Sequence, residues 1–271
     1  MLARPWSAVV RVPTPAGDVW FKELPPSVAF EPALTLALGR RFPDRVPEVI
    51  AAEGSRLLTR DAGRRLRNVH DEGGDAPPWN ELLPLYAELQ IELAAETDNA
   101  LALGAPDRRP ERLVALAQEM PGWEDAAVRI LRAVAGLGGS VPATVVHEEA
   151  TDGNLFVRDG RVRLIDWGEA SISHPFTGAL LPLRVATERG GDPERLRDLY
   201  LEPFSRFAPI EALRDSFAHA YQLAPVVRAA GWHETLVSHD RAVSVELGDP
   251  VAAWREVFDG IAAGTITLGE A

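Results

Sequence analysis

The stretch that decides the fold is HEEATDGNLFVRDGRVRLIDW, residues 147–167. Two runs of alternating apolar and charged residues flank the pair Asp159-Gly160. Such a pair between alternating runs predicts a two-residue β-hairpin, because a type I′ turn needs positive φ at both central residues. The turn fixes the register, so we expect Arg158 to lie opposite Arg161.

The same register places a candidate metal site at the open end of the hairpin. Asn154 lies opposite Ile165, so Asn154 and Asp166 both emerge at that end. An amide oxygen and a carboxylate suit Mg²⁺, which binds through one or two protein oxygens and completes its shell with substrate phosphates. The sequence therefore predicts a magnesium site at Asn154 and Asp166.

Composition limits the class of protein. The 271 residues are 46% hydrophobic and 25% charged, which is typical of a soluble globular protein. The absence of cysteine excludes disulfide scaffolds, thiolate metal sites and a cysteine nucleophile. A net charge of -12 argues against a nucleic-acid or anionic-membrane partner and favours small cationic ones. No apolar run approaches the roughly 20 residues of a membrane span, and residues 1–20 lack a secretory signal, so we expect a cytoplasmic protein.

One basic residue differs from all the others. Of 28 basic side chains, 27 are arginine and one, Lys22, is lysine. Arginine cannot imitate a compact ammonium on a flexible stem, so Lys22 is a candidate site residue. The alternative is chance survival of a lysine on an exposed strand.

The order of the predicted elements indicates an α+β protein with two lobes. The N-terminal part predicts an antiparallel sheet and one helix, and the remainder predicts mainly helices. We place the boundary near residues 60–65, which gives a β-rich lobe of residues 1–62 and a helical lobe of residues 63–271. The predicted segments are strands in 6–24, 49–52 and 56–59, a helix over 27–41 with Ser27 as N-cap, and helical periods in 82–93, 127–137, 193–207, 210–230 and 254–263.

Together these residues resemble the aminoglycoside phosphotransferase group of kinase-like small-molecule phosphotransferases, over roughly residues 6–254. The family's catalytic loop has the form H-x-D-x-x-x-x-N, followed by a hairpin and an I-D-W or I-D-F step. His147, Asn154 and Asp166 match it in type and spacing. The resemblance implies a protein-kinase-like two-lobe fold, ATP, Mg²⁺ and transfer of the γ-phosphoryl group of ATP to a hydroxyl of a small molecule.

The resemblance also implies roles for the remaining candidates. Lys22 falls where the family carries its phosphate-contacting lysine, and Glu31 falls where a helix glutamate pairs with that lysine. The segment 57–62 resembles the connection between lobes whose backbone meets adenine, which makes Thr59 and Asp61 candidate cofactor contacts. His147 and Glu149 are the candidate catalytic residues.

Two departures from the family pattern keep a second hypothesis open. Glu149 stands where the family has its catalytic Asp, and the extra methylene displaces the carboxylate by about 1 Å, which can cost on the order of 10²-fold in rate. We also expect the chain to open on the family's second strand, without the first strand or the phosphate-covering turn, and no G-x-G-x-x-G occurs. The alternative is a kinase-fold nucleotide-binding protein with little or no catalytic activity.

A third hypothesis is a metal-dependent hydrolase that uses His147, Glu149 and Asp166 with a divalent ion. It is disfavoured because the chain lacks a H-E-x-x-H ligand pair on a helix. All three hypotheses leave the phosphoryl acceptor and the oligomeric state unspecified.

Overall fold

The computed structural model describes residues 2–4, 7–239 and 248–271, with side chains described for 7–237 and 248–271. Trp6, the first residue of the predicted hairpin pattern, lies outside the described residues. The architecture is the expected one, an antiparallel sheet lobe followed by a mainly helical lobe.

The N-terminal residues form a five-stranded antiparallel sheet of order β1-β2-β3-β5-β4. Its strands are β1 Leu2–Arg4, β2 Ser7–Val12, β3 Val19–Glu23, β4 Val49–Glu53 and β5 Arg56–Arg60. In β3, Lys22 lies opposite Leu57, and Trp20 lies opposite Thr59. Successive side chains of a strand point to opposite faces, so Trp20 and Lys22 share one face of the sheet.

The expectation that the first strand is missing was wrong. Strand β1 pairs with β2, with Leu2 opposite Val9 and Arg4 opposite Ser7. A strand of three residues is too short to show an alternating pattern, so no periodicity in the sequence indicated it.

The first helix begins later than the sequence predicted. Helix α1 spans Glu31–Arg41, and Ser27 lies in a separate 3₁₀ turn rather than at the N-cap. Pro32 explains the difference, since proline has no N–H to donate and is tolerated in the first turn of a helix. The predicted apolar stripe is confirmed, because its four members are all buried: Phe30, Leu34, Leu38 and Phe42.

The helical lobe contains the predicted hairpin. Strands β8, Leu155–Arg158, and β9, Arg161–Leu164, pair with Arg158 opposite Arg161. Asp159 and Gly160 have φ of 53° and 71°, as a type I′ turn requires. The predicted register is therefore confirmed. Three further short strands are β6 Arg64–Arg65, β7 Thr144–Val146 and β10 Ser171–Ser173.

Helices make up most of this lobe, and the longest, α9, packs against α6 and α10. Their bounds are α2 Leu66–Asp71, α3 Trp79–Leu93, α4 Thr97–Ala102, α5 Leu113–Glu119, α6 Ala127–Gly136, α7 Leu180–Glu188, α8 Pro193–Leu201, α9 Ile210–His239 and α10 Pro250–Ala263. No helix in the described parts of the chain is long and apolar enough to cross a membrane. The lobe boundary near residues 60–65 stays a prediction.

Two apolar residues of the predicted helical periods 82–93 and 127–137 are exposed. Leu85 on α3 and Leu131 on α6 are 44% and 56% accessible. In α6 the buried stripe runs instead through Ile130, Ala133 and Leu137. These three residues follow the i, i+3, i+7 spacing of a narrow helix face. Other apolar residues of α6 therefore lie outside the buried face.

Candidate active site

Three charged side chains from distant parts of the chain meet between the sheet and the helical lobe. Lys22 Nζ donates hydrogen bonds to both carboxylate oxygens of Glu31, at 2.8 and 2.7 Å, and to Asp166 Oδ1 at 2.5 Å. Lys22 comes from β3, Glu31 from the first turn of α1, and Asp166 from the segment after β9. The structure thus brings the predicted partners Lys22 and Glu31 together and adds Asp166.

The charges of this cluster support one another. Burial raises the pKa of Glu31 to about 7, against the opposing effect of the Lys22 ammonium. Burial by itself would also raise the pKa of Asp166, but Lys22 holds that pKa below its ordinary value. Burial disfavours the Lys22 ammonium, yet the two carboxylates raise the pKa of Lys22 above the ordinary value of a lysine. Lys22 and Asp166 therefore both stay charged at neutral pH.

Asp166 has an unusual backbone conformation, which turns the chain sharply after β9. Its φ is 68°, in the left-handed region that few residues other than glycine adopt, although aspartate tolerates it better than most. Trp167 follows, is fully buried, and donates its Nε1–H to Leu164 O at 3.1 Å. The buried indole anchors the turn that presents the Asp166 carboxylate to Lys22.

His147 is completely buried at the start of residues 147–154, the candidate catalytic loop. Its Nε2 donates to Ile165 O at 2.8 Å, and its Nδ1 accepts the Glu149 N–H at 3.3 Å, which fixes the tautomer. The ring meets Trp167 edge-on, with centroids 4.8 Å apart. Burial lowers the pKa of His147 to about 4, so the imidazole is neutral at pH 7. These two hydrogen bonds tie residues 147–149 to the end of the hairpin.

Glu149 and Asn154 lie at opposite ends of the catalytic loop and are joined by hydrogen bonds. Asn154 Nδ2 donates to the Glu149 main-chain O at 3.0 Å and to Glu149 Oε2 at 3.2 Å. Because the amide nitrogen serves Glu149, the amide oxygen of Asn154 is left for another ligand. Burial raises the pKa of Glu149 to about 7, and the nearby Glu169 carboxylate is the second cause of this rise.

Thr59 and Asp61 lie at the far end of the sheet, away from the Lys22 cluster. Thr59 is half-buried on the sheet face that carries Trp20. Asp61 is engaged within the protein: its N–H donates to Asp18 O at 3.2 Å, its carbonyl accepts from Arg158 at 2.8 Å, and its Oδ1 accepts the Trp20 indole N–H at 3.1 Å. Neither the carbonyl nor the N–H of Asp61 is therefore unpaired.

Trp20 is a residue of this sheet face that the sequence reasoning did not single out. It precedes Lys22 by two residues on the same strand face, which is about 7 Å along a strand. Its indole N–H donates to Asp61 Oδ1. Alternation along β3 could have placed it there, since every second residue of a strand points to the same face.

A cavity of about 100 Å³ opens beside the cluster, between the β3–α1 connection and α9. Its wall includes Lys22, Glu149 and Asp166 together with three buried residues that no sequence motif indicated. These are Glu148, Arg108 and Arg228. They come from the catalytic loop, the segment after α4, and α9, so only the folded chain brings them together.

The chemistry of Asn154 and Asp166 fits the predicted Mg²⁺ site. Each offers one hard oxygen, and the ion fills its remaining positions with phosphate oxygens and water. No group of three or more His, Cys, Asp or Glu side chains arranged to hold a metal occurs within 2–4, 7–239 and 248–271.

Comparison with known proteins gives a family and a fold. The model of the phosphotransferase enzyme family matches residues 7–233. An ethanolamine kinase from Plasmodium vivax superposes with a TM-score of 0.63 at 9% identity, covering 94% of this chain and 79% of that one. The GDP and kanamycin complex of APH(2″)-IIIa gives 0.62 at 12% identity, with 98% and 95% covered. A choline kinase, LicA, from Streptococcus pneumoniae gives 0.62 at 11% identity, with 94% and 89% covered. A sequence comparison with curated proteins finds no match.

Proposed function

The chain belongs to the phosphotransferase enzyme family, and from this premise we propose that it transfers the γ-phosphoryl group of ATP to a hydroxyl of a small molecule. The observation that carries the proposal is the contact of Lys22 with both Glu31 and Asp166. It joins a strand, a helix and the end of a hairpin at one point. Phosphoryl transfer depends mainly on positioning and electrostatic stabilisation, which such a cluster supplies.

The donor side of the proposed reaction rests on Lys22, Asn154 and Asp166. The Lys22 ammonium binds phosphate oxygens of ATP, and Glu31 holds it in place. Asn154 and Asp166 would hold Mg²⁺, which when bound neutralises negative charge on the phosphates. The protein's own contribution is to bring one cation and two oxygen ligands to the same phosphate group.

Glu149 is the proposed base on the acceptor side. The acceptor oxygen forms a bond to the γ-phosphorus while the bond from that phosphorus to the β,γ-bridging oxygen breaks, and the electron pair leaves with ADP. The hydroxyl proton passes to Glu149 and later to water. This requires the carboxylate to lie within about 2.6–3.2 Å of the hydroxyl oxygen. Asn154 fixes the orientation of Glu149 for this purpose through its two hydrogen bonds.

His147 supports both sides without touching the reactants. It holds the carbonyl of Ile165, next to Asp166, and the N–H of Glu149. A neutral imidazole with both nitrogens engaged fixes the spacing between the base and the metal ligand. We therefore assign His147 as a positioning residue.

A second candidate function is nucleotide binding with little or no turnover. Glu149 in place of the shorter acid favours it, because one methylene displaces the carboxylate.

The similar structures suggest which acceptors and donors to test. One of them is a complex with GDP and kanamycin, and two others are an ethanolamine kinase and a choline kinase. An acidic chain with a net charge of -12 attracts cations. We therefore propose a small hydroxylated acceptor that carries an amine, and ATP as donor with GTP as the competing possibility.

The test uses the full chain with Mg²⁺ and measures both binding and turnover. Calorimetry with non-hydrolysable ATP and GTP analogues gives nucleotide affinity, and a coupled assay follows nucleoside diphosphate release with a panel of amino alcohols and sugars. We expect Mg²⁺-dependent ATP binding and acceptor-stimulated ADP release. ATP binding without any acceptor-stimulated release supports the second candidate, and absence of nucleotide binding contradicts both.

A further inference from the structure

Glu148 lies between His147 and Glu149, yet the proposed reaction gives it no role. The side chain is 3% exposed, and Ser171 donates its hydroxyl to Glu148 Oε1 at 2.6 Å. Oε2 is buried and has no hydrogen-bond partner within the described residues. A buried polar atom left unpaired costs about 1–3 kcal/mol, and more for a charged group. The position of this carboxylate is therefore unfavourable in the absence of a ligand.

The backbone of Glu148 is strained as well. Its φ is 63°, and the N–H of Glu149 donates to the carbonyl of His147 at 2.8 Å, around Glu148 as the central residue. A three-residue turn with positive φ at its centre is rare and strained for a residue with a Cβ. Such strain costs of order 1–3 kcal/mol and concentrates at functional sites. Glycine would adopt this conformation freely, so stability does not explain a glutamate here.

Two arginines on the same cavity wall share the feature of an unpartnered polar atom. The Nε atoms of Arg108 and Arg228 are buried, with no hydrogen-bond partner in the described parts of the chain. One other nitrogen of each is paired: Arg108 Nη2 with Glu234 at 2.6 Å, and Arg228 Nη1 with Glu169 and with the Glu148 carbonyl, the latter at 3.2 Å. Three residues that line this cavity, Glu148, Arg108 and Arg228, therefore each carry a buried polar atom without a partner among the described residues.

The charge and size of the cavity indicate which kind of ligand could form hydrogen bonds with these unpartnered atoms. Three basic side chains and six carboxylates line it. The carboxylates are Glu31, Glu148, Glu149, Asp166, Glu169 and Glu234. An excess of negative charge favours a cation. The volume of about 100 Å³ is well below the roughly 300–1,000 Å³ of pockets for drug-sized ligands, so the ligand has only a few heavy atoms.

We propose that Glu148 is the acceptor-recognition residue, and that its carboxylate binds the primary ammonium group of a small amino alcohol whose hydroxyl reaches Glu149. The inference rests on the proposed function and names its substrate class. Glu148 and Glu149 both line this small cavity, so one short molecule reaches both. The Nε–H groups of Arg108 and Arg228 donate to acceptor oxygens in the same cavity.

The proposal distinguishes a primary ammonium from a quaternary one. An unpartnered carboxylate oxygen needs a hydrogen-bond donor, and a hydrogen bond to a charged group contributes about 1.5–3 kcal/mol, or roughly tenfold to a hundredfold in affinity. A trimethylammonium group carries the same charge but has no N–H to donate. A diol of equal length can donate but carries no charge.

The test measures direct binding of three matched probes by ligand-detected NMR: 3-aminopropan-1-ol, its N-trimethyl analogue and propane-1,3-diol, repeated for chains of two and four carbons. The variants are Glu148→Gln, which keeps the shape and removes the charge, and Glu148→Gly, which also relieves the backbone strain. Glu92→Gln, an exposed change on α3, is the control for loss of one carboxylate. Thermal unfolding confirms that each variant folds.

We expect the wild type and Glu92→Gln to bind a primary amino alcohol at least about tenfold more tightly than both analogues. Both Glu148 variants should lose that preference. Equal binding by Glu148→Gln and wild type, or no binding of any amino alcohol by the wild type, overturns the inference. Because binding is read without turnover, amine binding with no phosphoryl transfer contradicts the proposed function alone. Transfer that is insensitive to Glu148 contradicts this inference alone.

Discussion

The two sides of the candidate site differ in how completely their polar groups are paired. On the donor side, Lys22 makes three hydrogen bonds to two carboxylates, and Trp20 and Asp61 pair with each other. On the proposed acceptor side, Glu148, Arg108 and Arg228 each have a buried polar atom without a hydrogen-bond partner among the described residues. The protein alone pairs the polar groups of the donor side, whereas in our proposal a ligand completes those of the acceptor side.

Because the two sides differ in pairing, their residues should contribute differently to the stability of the protein and to ligand binding. A paired cluster such as Lys22, Glu31 and Asp166 holds its geometry before a nucleotide arrives, which keeps the reorganisation needed for transfer small. An unpaired buried group lowers stability until a ligand satisfies it. Substitutions on the two sides should therefore affect stability in different directions.

The largest effect is expected at Glu149, where the two sides meet. Glu149→Gln removes the proton acceptor and should lower turnover by about 10²–10⁴-fold while leaving ATP affinity intact. Steady-state kinetics and calorimetry on one preparation check both parts. Glu149→Asp distinguishes the readings: higher turnover indicates an enzyme impaired by its glutamate, and lower turnover indicates one adapted to it. Unchanged ATP consumption in both variants would remove Glu149 from the mechanism.

The next largest effect is on stability at Glu148. Burial raises the pKa of Glu148 to about 7 from an ordinary value of 4.5, so the folded state binds more protons between these values, and wild-type stability falls as the pH rises through that window. Glu148→Gly removes this loss, and the variant's stability advantage should widen by about 2–3 kcal/mol between pH 5 and pH 8. Denaturant unfolding at the two pH values measures it.

Asp159→Gly is the control, since Asp159 also has positive φ but is exposed in the hairpin turn. Its effect on the free energy of unfolding should be small. A Glu148→Gly protein that is less stable than the wild type at pH 8 would contradict the description of Glu148 as a strained, unpaired group.

A smaller effect is expected on nucleotide affinity at Lys22. Lys22→Arg places a larger, planar cation beside the buried Glu31 carboxylate and should weaken MgATP binding about tenfold to a hundredfold. Arg56→Lys makes the reverse exchange at an exposed ion pair with Glu23 and should change nothing. Calorimetry with a non-hydrolysable ATP analogue gives both values. Equal MgATP affinity of Lys22→Arg and the wild type would contradict the proposed contact between Lys22 and the phosphates.

The smallest effect concerns the Trp20–Asp61 contact at the far end of the donor side. Trp20→Phe removes the indole N–H and should lower the free energy of unfolding by about 1 kcal/mol. Asp61→Asn keeps an oxygen acceptor for the indole and should cost less. Chemical denaturation of the two variants compares them, and a larger loss for Asp61→Asn would show that the contact is not the source of stability.

Local chemistry made part of this molecule predictable. The Asp159-Gly160 turn sets the hairpin register with no help from the rest of the chain, and Lys22 stands out by composition alone. The start of α1 was predicted four residues early because Ser27 resembles an N-cap more strongly than Pro32 marks the first turn. Strand β1 was missed because three residues carry no period.

The acceptor side could not be predicted, because its residues meet only in the folded chain. Arg228 lies 80 residues from the Glu148 carbonyl it contacts, and Arg108 precedes Glu148 by 40 positions. The positive φ of Glu148 is likewise invisible in the sequence, where a glutamate gives no hint of a left-handed backbone. Contacts of this kind follow from tertiary packing rather than from spacing along the chain.

Phosphorus NMR of the wild-type protein with MgATP and a primary amino alcohol tests the central claim most directly. The account predicts loss of the γ-phosphate resonance of ATP, growth of the ADP resonances and an equal amount of a new phosphomonoester resonance that splits through the protons of the acceptor carbon. Glu149→Gln should show this at least about a hundredfold more slowly. MgATP that binds to the protein yet stays intact beside every amino alcohol would contradict the claim that this chain is an active phosphotransferase.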